Sequence, residues 1–291
     1  MNKEISGKTQ VCALIGDPVE HTMSPAMHNA ACAELGLDYA YIPLLVRPEC
    51  LSDAVCGLRA LNVRGFNVTI PHKVKIVPHL DGLDPMAERI GAVNTVVNNG
   101  GELTGYNTDA AGFLAALRER GCVPRGQRVA LVGAGGAARA IAHVLAENGA
   151  EITILNRRKE MDWAHEIAGL VADNFKKKVE VLELNETNLK KALHGAALVV
   201  NATSLGMTPH ADATPVPAAL LNADQTVFDI VYNPVETRLL REAAAAGAVT
   251  VNGVDMLAWQ GALAFRMWTG RDAPVDLMRR EAMRMLKDNE E

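Results

Sequence analysis

Two stretches of the chain hold residues that packing alone explains poorly. The first is NVTIPHK, residues 67–73, in which Val68 and Ile70 alternate with Asn67 and Thr69. That period of two reads as a strand with one polar edge. Pro71 cannot donate to a ladder and sets the exit direction of the chain. Lys73 is then left on a loop at the carboxyl end of a strand, where open α/β sheets place their chemistry. With partners it is a proton donor or acceptor; without them it is a solvated surface lysine. The second stretch is GAGGAA, residues 133–138. It fits G-x-G-x-x-[G/A], follows an apolar strand and opens a helix. Gly133 permits the tight turn, Gly135 lets the backbone approach a pyrophosphate, and Ala138 lets the helix close on the sheet. Gly133, Ala134, Gly135, Gly136 and Ala137 thus form a phosphate-binding turn at a helix N-terminus. A bare glycine pattern is weak evidence, but strand, helix and second strand all occur here at the required spacing.

The end of that second strand selects the cofactor. Where a carboxylate would bind the ribose hydroxyls of NAD, the chain has Asn156, followed by Arg157, Arg158 and Lys159. Guanidinium groups bind a 2′-phosphate through charge-assisted hydrogen bonds, and cations at a helix start otherwise oppose the macrodipole. NADP is the expected cofactor.

Further candidates lie on separated loops. HTMSP (21–25) offers the hydroxyls of Thr22 and Ser24 for a carboxylate, although a serine before Pro–Ala is more often a helix cap. GAVNT (91–95) places Asn94 within a strand, where an amide needs a ligand or a turn to justify it. In GYNTDAAG (105–112) Asp109 precedes a helix and as a cap alone would need no other role. NATSLGM (201–207) and DIVYNP (229–234) follow apolar strands and are expected to line a cofactor cleft. Gln260 is a lone amide in the apolar helix MLAWQGALAF.

The elements behind these loops alternate. Strands are predicted at 11–16, 39–46 and 67–71, helices from Pro25 to Gly36 and from Pro48 to Leu61. A hairpin around Asn99–Gly100–Gly101 joins 92–99 to 102–107. A second unit begins near residue 109, with strands at 128–133, 151–156, 179–184, 197–203 and 226–232 and two closing helices, 256–268 and 274–287. The prediction is therefore an α/β, two-domain chain with mostly parallel sheets covered by helices. Domain one is 1–108 completed by 255–291, and domain two is 109–254.

Composition excludes several classes. The 291 residues are 49% hydrophobic with a net charge of −5, and only Lys176–Lys178 form a basic block, so nucleic acid is not an expected partner. No apolar run reaches a membrane span, and MNKEISGKTQV lacks a signal-peptide core. Five cysteines without a CxxC pair imply free thiols and a cytoplasmic protein. Eight histidines without a clustered motif give a metal site no support. The acidic DNEE end is expected to fray.

HTMSP, NVTIPHK, GAVNT, YNTD, GAGGAARA, NRR, NATSLGM, DIVYNP and MLAWQ occur in this order, and together they resemble the signature blocks of the shikimate and quinate/shikimate dehydrogenases. The resemblance runs from residue 16 to about 260. It implies an α/β substrate domain, a Rossmann-type NADP domain, and C-terminal helices that return to the substrate domain. It also implies reversible NADPH-dependent reduction of 3-dehydroshikimate to shikimate. By resemblance Lys73 and Asp109 are the catalytic pair, brought together from the two halves at a cleft between them. Thr22 and Ser24 hold the substrate carboxylate with help from Tyr232; Thr69, Asn94 and Gln260 surround the ring hydroxyls, with Asn67 beside them. The glycine turn and Asn156–Arg157–Arg158 take the cofactor's phosphates, and Thr203, Ile230 and Gly253 lie near the cofactor. Three positions depart from the family pattern: Thr22 in place of the usual serine, His72 before the lysine, and Ala110 where glycine is usual. Two alternatives follow, a quinate/shikimate dehydrogenase using NAD as readily as NADP, and a non-catalytic NADP-binding sensor. The partner is a small molecule, without nucleic acid or membrane, in a monomer or homodimer.

Overall fold

The run QVCALIG folds as β1 (Gln10–Gly16), parallel to both β2 (Tyr39–Leu45) and β3 (Gly65–Val68). The structure, a computed structural model, describes residues 4–288, so of the DNEE end only Asp288 lies within the described residues. Ala13 and Ile15 of β1 enter the core on one face of the sheet, Cys12 and Leu14 the core on the other. Burial on both faces is why this strand is apolar without alternation. α1 (Ser24–Glu34), α2 (Leu51–Ala60) and α3 (Pro85–Ile90) belong to the same region, with β4 (Gly82–Leu83), β5 (Thr95–Asn99) and β6 (Glu102–Tyr106). The strand order is β2-β1-β3-β5-β6-β4, with β5 antiparallel to both neighbours. The expected hairpin joins β5 to β6, and Gly100 and Gly101 take positive φ in its turn.

The strand read as 67–71 lies earlier. β3 starts at Gly65 and its pairing with β1 ends at Ile15–Val68, leaving Ile70 65% exposed. β1 itself stops at Gly16, and beyond Thr69 only the Ile70 carbonyl is still bonded to that segment, accepting from the Asp17 N–H at 2.9 Å.

Two compact units divide the chain. The first runs to Gly112 and resumes at Leu257; the second is Phe113–Met256. Asp109 opens α4 (Asp109–Glu119) and lies in the same unit as Lys73, whereas the sequence boundary at 108/109 put the two on opposite sides. The cause is local: the first turn of α4 is hydrogen-bonded to residues 94 and 107 of the first unit.

The second unit holds a fully parallel sheet of β7 (Arg128–Val132), β8 (Glu151–Asn156), β9 (Glu180–Glu183), β10 (Leu198–Asn201), β11 (Thr226–Asp229) and β12 (Val249–Val251). Its order, β12-β11-β10-β7-β8-β9, is doubly wound and reverses direction between β7 and β10. α5 (Gly136–Glu147), α6 (Met161–Phe175), α7 (Glu186–Leu193) and α8 (Arg238–Ala245) accompany these strands. Ala130, Val132, Leu155, Val199 and Val227 pack with Leu189, Leu193, Leu239 and Leu240 in one core.

The last helices, α9 (Gly253–Thr269) and α10 (Val275–Asp288), return to the first unit as the sequence predicts. Ala264 and Trp268 join the core beside Cys12 and Leu14, the Trp268 indole donates to the Val96 carbonyl at 3.0 Å, and α10 packs on α1. All five cysteines are free; Cys12 and Cys32 are buried, Cys50 and Cys56 exposed. Burial raises the Cys12 thiol pKa and pushes Cys32 up to about 11. Among the described residues no helix is long and apolar enough to cross a membrane, and no group of His, Cys, Asp or Glu could hold a metal ion.

Candidate active site

Lys73 is not a solvated surface lysine: it has a partner. Its Nζ lies 2.5 Å from Asp109 Oδ2, and the two side chains are only 15% and 6% exposed. The loop holding the lysine is pinned where the Val93 N–H donates to the Lys73 carbonyl at 2.7 Å. Asp109 is not a helix cap. The side chain of Asn107 does that work, accepting from the N–H groups of Asp109 (3.1 Å) and Ala110 (3.4 Å). The Asp109 carboxylate is thereby left to face Lys73 and Asn94.

Asn94 is the hub of the cluster. Its Nδ2 is shared between Thr108 Oγ1 (2.9 Å), Asp109 Oδ1 (2.9 Å) and Gln260 Oε1 (3.4 Å). Its Oδ1 accepts from the Thr108 N–H at 2.8 Å and the Thr95 hydroxyl at 3.0 Å. It sits just before β5, not within a strand as the sequence suggested, and its carbonyl accepts from the Val68 N–H and from Asn67 Nδ2. The amide therefore serves a junction where β3, β5 and α4 converge. Gln260 is 8% exposed and also donates to the Leu257 carbonyl at 2.9 Å.

At the start of α1, Ser24 is the first helical residue and is buried, but no side chain caps the helix. The Ser24 N–H lies 3.4 Å from the Thr22 hydroxyl. The cap reading of Ser24 thus fails, as it does for Asp109. Thr69, beyond the end of β3, has its N–H bonded to the Ile15 carbonyl. Lys73, Asp109, Asn94, Asn67, Thr69, Gln260, Thr22 and Ser24 all belong to the first unit. Thr95, Thr108 and Asn107 complete the cluster and were not predicted; Thr108 lies inside the YNTD block, but nothing in its type or spacing distinguished it.

The predicted cofactor residues belong to the second unit. Gly133 has φ +105°, and a Cβ there would lie 2.8 Å from both the Ala202 carbonyl oxygen and Thr203 Cγ2. Only glycine fits, and the same contact brings Thr203 to the glycine turn. A Cβ on Gly135 would meet nothing within 4 Å, and no side chain caps α5. Open space and uncapped N–H groups at this helix start suit a pyrophosphate. Gly253 abuts Ile230: a Cβ on it would fall 2.3 Å from the Ile230 carbonyl oxygen. Thr203 is held by Asn201, which also donates to Asp229. Asp229 is fully buried and accepts from Thr237, Asn201 and the Val231 N–H; burial outweighs these bonds and pushes its pKa up to about 6. Tyr232 follows, its hydroxyl pKa raised by burial.

At the end of β8, Asn156 is buried and donates to the Glu160 carbonyl at 2.6 Å. Arg157 and Arg158 are exposed, as a phosphate site requires, but each faces a carboxylate. Arg157 forms a forked ion pair with Glu160, and Arg158 lies 3.2 Å from Glu183. The sequence reading did not include either carboxylate.

A buried lysine–carboxylate pair in one unit and a doubly wound sheet with a glycine turn in the other are elements that nicotinamide-dependent dehydrogenases combine. Residues 14–96 match the shikimate dehydrogenase substrate binding domain, 117–236 the shikimate/quinate 5-dehydrogenase family, and 253–283 the shikimate 5′-dehydrogenase C-terminal domain. A shikimate dehydrogenase (NADP(+)) of Dehalococcoides mccartyi is 46% identical over 276 residues, 95% of this chain and 96% of that protein. The crystal structure of shikimate 5-dehydrogenase from Listeria monocytogenes with shikimate and NAD superposes with a TM-score of 0.89 at 40% identity, covering 96% and 98% of the two chains. That from Thermus thermophilus with NADP(H) and shikimate gives 0.85 at 40% identity, covering 95% and 100%. The chain belongs to the shikimate dehydrogenase family.

Proposed function

We propose that this protein is an NADP-dependent shikimate dehydrogenase, interconverting 3-dehydroshikimate and shikimate in the biosynthesis of chorismate and the aromatic amino acids. The observation that carries the reading is the Lys73–Asp109 pair, 2.5 Å apart and braced by Asn94, in a chain of this family. The cofactor supplies a hydride to the ring carbonyl carbon. In the direction of reduction Lys73 Nζ gives a proton to the carbonyl oxygen, and Asp109 holds the lysine in line. In oxidation the same nitrogen receives the proton of the ring hydroxyl.

The remaining residues divide by chemistry. Thr22 and Ser24 hold the substrate carboxylate with Tyr232, and Thr69, Asn94 and Gln260 hold the ring hydroxyls, with Asn67 beside them. Gly133, Ala134, Gly135, Gly136 and Ala137 take the pyrophosphate, Asn156, Arg157 and Arg158 the 2′-phosphate, and Thr203, Ile230 and Gly253 border the rest of the cofactor. The first unit, which runs to Gly112 and resumes at Leu257, is the substrate domain, and Phe113–Met256 is the NADP domain. The protein acts in the cytoplasm, as a monomer or homodimer.

One observation supports a second reading. Glu160 and Glu183 occupy the two arginines that a 2′-phosphate would use, which lowers the advantage of NADP over NAD. A quinate/shikimate dehydrogenase using both cofactors follows from that. Nicotinamide absorbance with shikimate and with quinate, each with NADP and NAD, separates the readings. Turnover with shikimate and NADP is expected to dominate, and no turnover with any pair would overturn both.

A further inference from the structure

The helix start PAMHN was absorbed by no role above, yet His28 and Asn29 both close on one residue, Tyr41. The Asn29 side chain clamps the Tyr41 backbone from both sides, donating to its carbonyl at 2.9 Å and accepting from its N–H at 2.8 Å. The His28 ring stacks on the Tyr41 ring with centroids 4.3 Å apart and planes 8° from parallel. Trp268 flanks the same ring at 5.9 Å. Few exposed polar functions justify so firm a grip on a tyrosine that is itself 3% exposed.

What the grip delivers is one hydroxyl. The Tyr41 O–H donates to Asn67 Oδ1 at 2.7 Å. With its oxygen so occupied, the Asn67 amide can present only Nδ2 to the other side, and it donates there to the Asn94 carbonyl and to Thr95 Oγ1, both at 3.1 Å. Thr95 in turn donates to Asn94 Oδ1, and Asn94 Nδ2 donates to Asp109. Ser24 also touches the Tyr41 hydroxyl, and its hydrogen bond opposes the rise in phenol pKa that burial causes. Both Nδ2 protons of Asn67 and one lone pair of its Oδ1 are thus committed within the protein.

The geometry points to Tyr41 as a positioning residue for the reaction: its hydroxyl fixes which way the Asn67 amide faces, and through Asn67, Thr95 and Asn94 it fixes the Asp109 carboxylate against Lys73. Asn67 is then an internal strut beside the residues proposed for the ring hydroxyls. This inference rests on the proposed dehydrogenase reading. It assigns Tyr41 no contact with substrate.

Tyr41→Phe removes the hydroxyl and keeps the ring against His28 and Trp268. The buried Asn67 oxygen loses its donor, so the amide is free to turn. The expected result is a fall in kcat of roughly tenfold, the scale of one hydrogen bond lost from the chain of contacts that places the carboxylate. KM for shikimate should stay level or drop, since Ser24 is released from Tyr41, and the Kd for NADP+ should not change. A loss of fold alone would lower the number of NADP+ sites per chain by the same factor as the apparent kcat, whereas here that number should stay at the wild-type value. Independently of any variant, in the wild-type protein labelled with 15N-asparagine the Asn67 side-chain amide protons should be protected from exchange, and in Tyr41→Phe they should exchange rapidly. Fast exchange in the wild type would overturn the proposal, as would a Tyr41→Phe enzyme with unchanged kcat. The exchange arm needs no turnover, so it stands or falls apart from the substrate assignment, which wild-type activity tests.

Discussion

In the first unit the groups proposed to react are held by side chains that hold one another; in the second, the glycine turn is shaped by backbone with little side-chain involvement. Lys73, Asp109, Asn94, Thr95, Thr108 and Gln260 form a closed, mostly buried set in which each member has a partner. Around Gly133 and Gly135 the determining features are a positive φ, a missing Cβ and uncapped N–H groups. The arginines beyond β8 are exposed and rest in ion pairs with surface carboxylates. The difference suits the two tasks. Proton transfer depends on atoms placed to fractions of an ångström, whereas a long dinucleotide is gripped at several points, each individually weak. Burial also sets the two units against each other electrostatically. The first hides a base, His28, and the second an acid, Asp229.

The largest effect expected is from breaking the first network at its reactive end. Lys73→Ala should lower kcat by roughly 10²–10⁴ and leave the Kd for NADP+ unchanged; steady-state kinetics with calorimetric titration of NADP+ checks both. A near-normal kcat would remove Lys73 from catalysis. Next is the second unit's backbone. Gly133→Ala forces a side chain into a left-handed conformation against the Ala202 carbonyl. NADP+ binding should weaken on the order of tenfold or more while shikimate, titrated without cofactor, binds as before. If both affinities fall together, the contrast between the units fails.

These two buried groups, one in each unit, predict opposite responses to acid. Burial lowers the His28 pKa to about 3, and neither ring nitrogen has a hydrogen-bond partner. Below about pH 6.5 the unfolded chain therefore binds a proton that the folded chain refuses, so stability falls with pH, by about 2 kcal/mol between pH 7 and 5. Asp229, with its pKa raised to about 6, binds its proton more readily when folded. Its contribution strengthens as pH falls through 6, by about 1 kcal/mol over the same range. Amide exchange, corrected for intrinsic rates, should show protection falling in β1 and β3 and rising in β7 and β10 at pH 5. His28→Leu and Asp229→Asn should each flatten the response of their own unit. The smallest effect concerns the exposed ion pair. Glu160→Gln frees Arg157 and should tighten 2′,5′-ADP by about threefold, in keeping with the modest strength of surface pairs, with 5′-AMP unaffected. An equal change for both nucleotides would remove Glu160 from cofactor discrimination.

Much of this was readable beforehand, and the parts that were not share a cause. The glycine turn, the strands flanking it and the basic end of β8 have local signatures, because a backbone that must approach a phosphate needs glycine at fixed offsets. Asn94 announced itself as an amide in apolar surroundings. Asp109 and Ser24 did not, because a residue at a helix start looks the same whether it caps or reacts; only the presence of Asn107 as the true cap of α4 separates the cases. β4 and β12, of two and three residues, are too short for any period to show. Tyr41 was invisible for a different reason. It sits in an apolar strand where a buried aromatic is ordinary, and its partner Asn67 is 26 residues away. Pairings between distant segments leave no pattern in either segment alone.

The distribution of thiols offers a practical handle. Cys50 and Cys56 are the exposed sulfurs, and both sit on the first unit, while Cys12 and Cys32 are shielded and poorly nucleophilic. A maleimide dye added under native conditions should therefore decorate the α2 side of the first unit first, while half-buried Cys122 of the second unit, its thiol pKa raised by burial, reacts more slowly, so that brief labelling gives a built-in reporter on one unit without an engineered cysteine.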